Sequence, residues 1–306
     1  NSQRAFDMDM KAAYFQEINN GGGVTMATGT PLSNSIAECY VFQHFLQRPM
    51  LQKSGIDSFD EWASVYGNIT VSLEVKPTGN GWRMRERFAE FKNLPELCNM
   101  LSQCFDVVKT TDIEGIKLPE IIGGKPQIIV CEQSADQVRQ VEEGMKRAEN
   151  IENKKVSLKD DNMLAVCGYM SNVSLDPRIN DPDAEDWDGL KINVCAVQIC
   201  EIQKQFPNSA QVVFCDLSVP NNKGKFTVYQ ELKDKLIESG SFLPEEIAFV
   251  HDADNDRKRL EMFDKVNSGT IKVIMGSTSK LGTGVNMQRN LIAAHHLDAP
   301  YVPKDI

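Results

Sequence analysis

Ile271 to Pro300, IKVIMGSTSKLGTGVNMQRNLIAAHHLDAP, is the stretch whose reading decides the fold. It reads as a strand (Ile271–Met275), a glycine-bearing loop (Gly276–Asn286), a short connection and a second strand (Leu291–Leu297) ending at Asp298. Apolar runs bounded by Gly, Pro and Asp suit the interior of a parallel sheet, where both faces are covered. In open α/β sheets, ligand chemistry gathers where strands end and loops begin. Gly282 and Gly284 offer close backbone approach or positive φ, and their amides suit a phosphate or a nucleic-acid backbone. Read alone, such a glycine pair favours a tight turn with no ligand.

Upstream, the same grammar repeats. Helix Ile192–Phe206 leads to strand Gln211–Leu217, helix Val228–Ser239 to strand Glu246–His251, and helix Asn255–Asn267 to Ile271. Helix–strand alternation at this spacing predicts an α/β fold with a parallel sheet and right-handed crossovers. Further back, Gln127–Cys131 reads as a strand and Ser134–Glu152 as a charged amphipathic helix, and the acidic run Ile179–Gly189 reads as a solvated linker. Its aspartates lack the glycine and terminal glutamate of a calcium loop.

Towards the N-terminus, Gln3–Asn19 has helical spacing and closes on Asn19-Asn20-Gly21-Gly22-Gly23. Val24–Ala27 reads as a short strand, Thr28–Asn34 as a turn whose Ser33 or Asn34 caps the next helix, and Ile36–Leu46 as that helix. Ser58–Tyr66 and Arg83–Cys104 carry helical patterns on either side of the turn Pro77–Gly81. Arg83, Arg85, Arg87 and Lys92 form the most basic local patch, read chiefly as a solvated helix face and secondarily as a phosphate contact.

The chain has 306 residues, 41% hydrophobic and 25% charged, which suits about two globular domains. No apolar run reaches the ~18–20 residues of a membrane span, and no signal peptide opens it, so a cytoplasmic location is expected. Eight cysteines and four histidines show no metal-ligand spacing, so no metal site is expected. A net charge of −10 argues against a protein that coats nucleic acid electrostatically, though not against one holding DNA through a few amides and cations. A phosphate-cradling G-x-x-x-x-G-K-[S/T] loop is missing: Gly224-Lys225 runs into Phe226 and Gly124-Lys125 into Pro126. No G-x-S-x-G or H-E-x-x-H motif occurs either.

In this order, the motifs resemble those of the Swi/Snf-like branch of superfamily-two helicases and DNA translocases. Thr28-Gly29-Thr30-Pro31-Leu32-Ser33-Asn34 resembles motif III, Val212–Cys215 motif IV, and Leu281-Gly282-Thr283-Gly284-Val285-Asn286 motif V. Phe105–Pro119 is similar to the segment between the lobes but lacks the family's paired arginines, and Asp298 with Pro300 and Pro303 resembles the strand end before motif VI. The wording TGTPLSNS, DNML, FCDLS, GSTSKLGTGVNMQ and HHLDAP is similar to that of large helicase–methylase proteins of phages and conjugative elements.

The resemblance implies a division into 1–46, the end of a first RecA-like lobe; 47–120, a mainly helical insertion and linker; 121–190, a strand with a helical and acidic connection; and 191–306, a second RecA-like lobe. It implies a DNA-dependent ATPase, with ATP and Mg in the intact parent and sequence-independent DNA contact through the backbone. Thr28, Gly29, Thr30, Pro31 and Asn34 are then nucleotide-coupling residues, and Asp298 lies at the cleft. Lys280, Gly282, Thr283, Gly284 and Asn286 face DNA. The Walker A lysine, the acidic box and the motif VI arginines that such motors need are absent from these residues. With no initiating Met, the chain therefore reads as an inactive fragment expected to hold no nucleotide, with missing parts of the parent, including a methylase domain, as partners. Two rivals stand beside this reading. One is a non-catalytic DNA- or protein-binding remnant. The other is an adenine DNA methyltransferase fragment, suggested by Asp298-Ala299-Pro300-Tyr301, although Ala299 stands where that signature has proline.

Overall fold

Strands whose successive residues are all apolar need cover on both faces. Val273–Gly276 (β5) is of this kind, and so is Ala210–Phe214 (β3) apart from its buried Gln211; in the computed structural model they pair in parallel, Gln211 opposite Val273 and Phe214 opposite Gly276. Ile247–Phe249 (β4) joins the far edge of β5, and Leu291–His296 (β6) the far edge of β3. The result is a four-stranded parallel sheet in the order β4-β5-β3-β6. The structure describes residues 2–29, 31–32, 35–76, 78, 81–109, 112–115, 120–157, 159–220, 225–282 and 285–299.

The chain forms two compact units, one mainly Asn1–Val75 with Trp82–Pro126, the other mainly Gln127–Tyr301. In the second, Val213, Cys215, Val273 and Met275 point to one face, where Ile192 and Ile199 of helix Lys191–Gln205 (α8) and Leu232 and Leu236 of helix Val228–Glu238 (α9) cover them. Val212 and Ile274 point to the other, against Phe263 and Val266 of helix Asp256–Asn267 (α10). Each fully buried leucine or isoleucine contributes about 1.5–3 kcal/mol. A helical pair, Ala135–Glu152 (α6) and Met163–Leu175 (α7), precedes the sheet, and Leu175 reaches its core. Ser134 caps α6 through the amide of Gln137, as its sequence predicts.

In the first unit, helices Gln3–Ile18 (α1), Ala37–Leu46 (α2), Arg48–Lys53 (α3), Phe59–Tyr66 (α4) and Leu94–Leu101 (α5) accompany a two-stranded antiparallel ribbon. Its strands are Gly67–Val75 (β1) and Trp82–Phe91 (β2). The core is Cys39, Leu51, Ile56, Trp62, Tyr66 and Leu97, and the buried Trp62 indole donates to Gln43 Oε1 at 2.7 Å.

Four expectations are corrected. Arg83–Cys104 is not one helix: its arginines alternate with Trp82, Met84 and Phe88 in a period of two, which makes β2 before Pro95 starts α5. The arginines of the basic patch therefore form a strand face, and Lys92 lies just beyond the strand. Val24–Ala27 and Gln127–Cys131 form no strand, because among the described residues neither finds a neighbouring strand to pair with. Ile128 and Val130 stand 87% and 88% exposed in consequence. Nor is the acidic run a free linker: Asp181 pairs with Arg139 at 2.6 Å, and Asp186 pairs with Lys235 at 2.5 Å and Arg178 at 3.2 Å.

Gly276 ends β5 where no side chain fits: a Cβ there would lie 2.5 Å from Val250 Cγ1 and 2.6 Å from Leu281 Cδ1. Gly276→Ala is expected to destabilise the second unit by about 1–3 kcal/mol, read as a lower urea midpoint; an unchanged midpoint would show that Leu281 yields freely. On β6, His295 Nε2 lies 2.9 Å from Gln211 Oε1, whose amide nitrogen donates to the Ile199 carbonyl at 3.0 Å. Burial, with the His296 charge adding, lowers the His295 pKa from 6.5 to about 4. The unfolded chain thus takes up a proton that the folded one refuses, so this stabilisation is complete above pH 6.5 and lost as pH falls towards 4. The loss is roughly 3 kcal/mol, and unfolding measured across this range should show it in the wild type and not in His295→Gln.

Candidate functional site

Three of the four strands end their runs against one another at the carboxyl edge of the sheet. The Leu297 amide donates to the Phe214 carbonyl at 3.1 Å, and the Cys215 amide to the Gly276 carbonyl at 3.0 Å. Beyond β3 the chain turns sharply, with Ser218 at φ 51°. The half-buried Asp298 carboxylate closes that turn by accepting from the Asp216 amide at 2.8 Å and the Leu217 amide at 2.9 Å. Burial raises the Asp298 pKa, against the pull of these amides.

Asp216 passes the connection on. Its carboxylate accepts from the Thr278 amide at 2.7 Å and the Thr278 hydroxyl at 2.9 Å. Thr278 is buried and opens the four-residue helix Thr278–Leu281 (α11), so Asp216 satisfies one of that helix's first amides from a different loop. Tyr229 of α9 donates its hydroxyl to the Cys215 carbonyl from beneath. Burial raises the Cys215 thiol and the Tyr229 phenol well above their ordinary pKa values, so both stay neutral.

Lys280 is half-buried on α11. His251, in the 3-10 turn Val250–Asp252 after β4, sets its ring 5.4 Å from that of Tyr229. Its pKa is lowered by burial first and by the Lys280 charge second, and its Nδ1 is buried with no hydrogen-bond partner among the described residues. Loops from all four strands therefore meet at one edge, where, among the described residues, Lys280 and the His251 imidazole stand with the Asp216 and Asp298 carboxylates. Such an edge is where ligands of open α/β sheets gather.

The predicted residues divide between the two units. Asp298, Lys280, Gly282 and Asn286 lie in the second; Thr28, Gly29 and Pro31 are exposed in the first. Thr30, Asn34, Thr283 and Gly284 lie outside the described residues. Gly282 does not use positive φ, since its φ is −78°. Its need is steric: its amide donates to the Thr278 carbonyl at 2.7 Å, and a Cβ would sit 2.6 Å from that oxygen. Asn286 is held by its backbone carbonyl, which accepts from Asn267 Nδ2 at 2.8 Å, while Asn267 Oδ1 takes the Arg289 amide at 3.2 Å. Asn267, Asp216, Thr278 and His251 were not picked out from the sequence. The available signal was a polar residue just after each buried strand or helix.

The sheet and its loop-lined edge define an α/β protein, and its resemblance is helicase-related: residues 1–110 match the model of the family described as "Probable helicase domain". Among individual proteins, Defense against restriction protein B of Escherichia phage P1 is 26% identical over 156 residues, covering 49% of this chain and 7% of that protein. The chain thus matches a small part of its relative's length. No helix among the described residues is long and apolar enough to cross a membrane.

Asp298→Ala is expected to cost about 2–3 kcal/mol, because two amides lose a charged acceptor. Asp298→Asn, which keeps one acceptor oxygen, should cost less. Equal losses in urea unfolding would mean that the single neutral acceptor oxygen of Asn cannot stand in for the carboxylate at this turn.

Proposed function

We propose that this chain forms part of an ATP-driven DNA translocase of the Swi/Snf-like superfamily-two kind, with the carboxyl edge of the sheet as its DNA-facing surface. The observation that carries the reading is the latch of Asp298, Asp216 and Thr278. It gathers the loops after β3, β5 and β6 and fixes α11, with Lys280, at that edge. The helicase-related match of residues 1–110 supports it.

In this reading Lys280 and the amides around Gly282 meet phosphates of one DNA strand, without reading bases. Asn267 keeps the loop in register by holding Asn286 and Arg289. Thr28 and Thr30, with Gly29, Pro31 and Asn34, belong to the nucleotide-coupling segment of the first unit. Hydrolysis of ATP with Mg2+ supplies the energy of movement.

Among the described residues, Gly124-Lys125 does not fit that nucleotide: it lies in a turn with no helix behind it until Ala135, so no helix N-terminus faces a phosphate there, and Gly224 lies outside the described residues. No hydrolytic step is assigned to this chain. The same misfit favours a second reading, a remnant that binds DNA or protein without turnover.

Lys280→Ala is expected to weaken binding of a random-sequence duplex and to reduce the log–log salt slope by about 0.9. Anisotropy titrations at several salt concentrations measure this, and an unchanged slope removes Lys280 from the DNA surface. With or without DNA, the chain alone is expected to release no phosphate from ATP. DNA-stimulated release in a phosphate assay would overturn that assignment.

A further inference from the structure

Trp82-Arg83-Met84-Arg85-Glu86-Arg87-Phe88 is the body of β2, and pleating sends its odd-numbered and even-numbered residues to opposite faces. Arg83, Arg85 and Arg87 share one face, where β1 places Glu74 opposite Arg83, Ser72 opposite Arg85 and Thr70 opposite Arg87. Three arginines thus face one carboxylate. Glu74 accepts from Arg87 Nε at 2.8 Å and lies 3.9 Å from Arg83. Its pKa is lowered, by the Arg87 hydrogen bond most of all. Arg85 makes no ion pair among the described residues, and Arg83 Nε is buried without an acceptor.

In a chain of net charge −10, this row is a local excess of cation with donors to spare. Alternate residues of a strand are about 6.8 Å apart, comparable to the step between phosphates along an extended nucleic-acid strand. Guanidinium groups match phosphate oxygens with a planar fork. The reverse face is open and mainly apolar, with Glu86 as its one carboxylate on β2: Trp82 is 62% exposed, Met84 74% and Leu73 62%. Two-stranded ribbons are marginal in water, and a bare apolar face of this size marks an interaction surface. Trp82 offers a base a stacking platform, which an unstacked strand can use and a closed duplex cannot. Among the described residues β2 pairs with no strand but β1, which leaves its outer edge without a strand partner there. A strand lying along that edge meets the arginines on one side and Trp82 and Met84 on the other.

We propose that the β1–β2 ribbon binds single-stranded nucleic acid, with phosphates on Arg83, Arg85 and Arg87 and a base on Trp82. The inference rests on the nucleic-acid partner of the motor reading and adds to it a second contact, inside the segment that resembles a helicase domain. The even spacing of the cations, with an exposed aromatic ring at their side, selects this partner over a second copy of the chain.

The test is anisotropy of labelled oligo-dT with the whole 306-residue chain over a series of salt concentrations. R83Q/R85Q/R87Q is expected to bind at least about tenfold more weakly, with the salt slope reduced by about 2, since each single-strand phosphate contact contributes about 0.7. Trp82→Ala should weaken binding with the slope unchanged. Arg85→Gln breaks no ion pair and should lower the slope by about 0.7, even where the triple variant fails to fold. Oligo-dT binding that is absent in the wild type, or unchanged in Arg85→Gln and the folded triple variant, overturns the proposal. Unchanged oligo-dT binding with self-association that Trp82→Ala abolishes assigns the ribbon to a second copy, and equally overturns it. If Lys280→Ala has no effect on duplex binding while the ribbon variants lose oligo-dT, the sheet-edge reading fails and this one stands; the reverse pattern sinks this one alone.

Discussion

The second unit's site depends on a carboxylate that meets two amides. Asp298 lies at the end of β6, and its oxygens take the Asp216 and Leu217 N–H groups just beyond β3. Amides turned inward at a sharp turn need acceptors, and a carboxylate supplies a strong one. With its backbone held this way, Asp216 turns its own side chain to Thr278, and so the loop after β5 takes its position from the loop after β3. The order of dependence runs from β6 to β3 to β5. None of these links is a neighbour in sequence: Asp298 and Leu217 are 81 residues apart, Asp216 and Thr278 62.

That separation explains what the sequence could tell. The sheet was legible because buried parallel strands announce themselves as short apolar runs between helices, and each of its strands falls within a few residues of its expected place. The partners of Asp216 and Asn267 were not, since a polar residue after a strand does not say what it will meet. For Gly282 the sequence offered close backbone approach or positive φ, and the fold uses the first, beside a crowded carbonyl. In the first unit the ribbon was hidden by residue types, because Arg, Glu and Met favour helices and only their alternation reveals a strand. Its partner strand, rich in β-branched residues from Ile69 to Val75, held the other half of that signal.

Val24–Ala27 and Gln127–Cys131 teach the opposite lesson. Both have strand-like composition, yet a strand is defined by its neighbour, and β-propensity describes how well a residue fits a surface that must already exist. The acidic run shows the same dependence on context for charge. Asp186 is one solvent-seeking residue among many in the sequence, but in the fold it sits between Arg178 and Lys235 and ties its loop to α9.

The strand order carries a consequence for synthesis. β3 stands between β5 and β6, both made after it, and the first sheet strand to follow it, β4, pairs with β5 instead. As the polypeptide leaves the ribosome, β3 therefore emerges with two bare edges and keeps them until Val273–Gly276 arrives. β6, which brings the Asp298 latch with it, comes last of all. Non-local pairing of this sort folds slowly and leaves hydrophobic strands open to wrong partners in the interval. The nascent chain is at its most vulnerable between its third strand and its fifth.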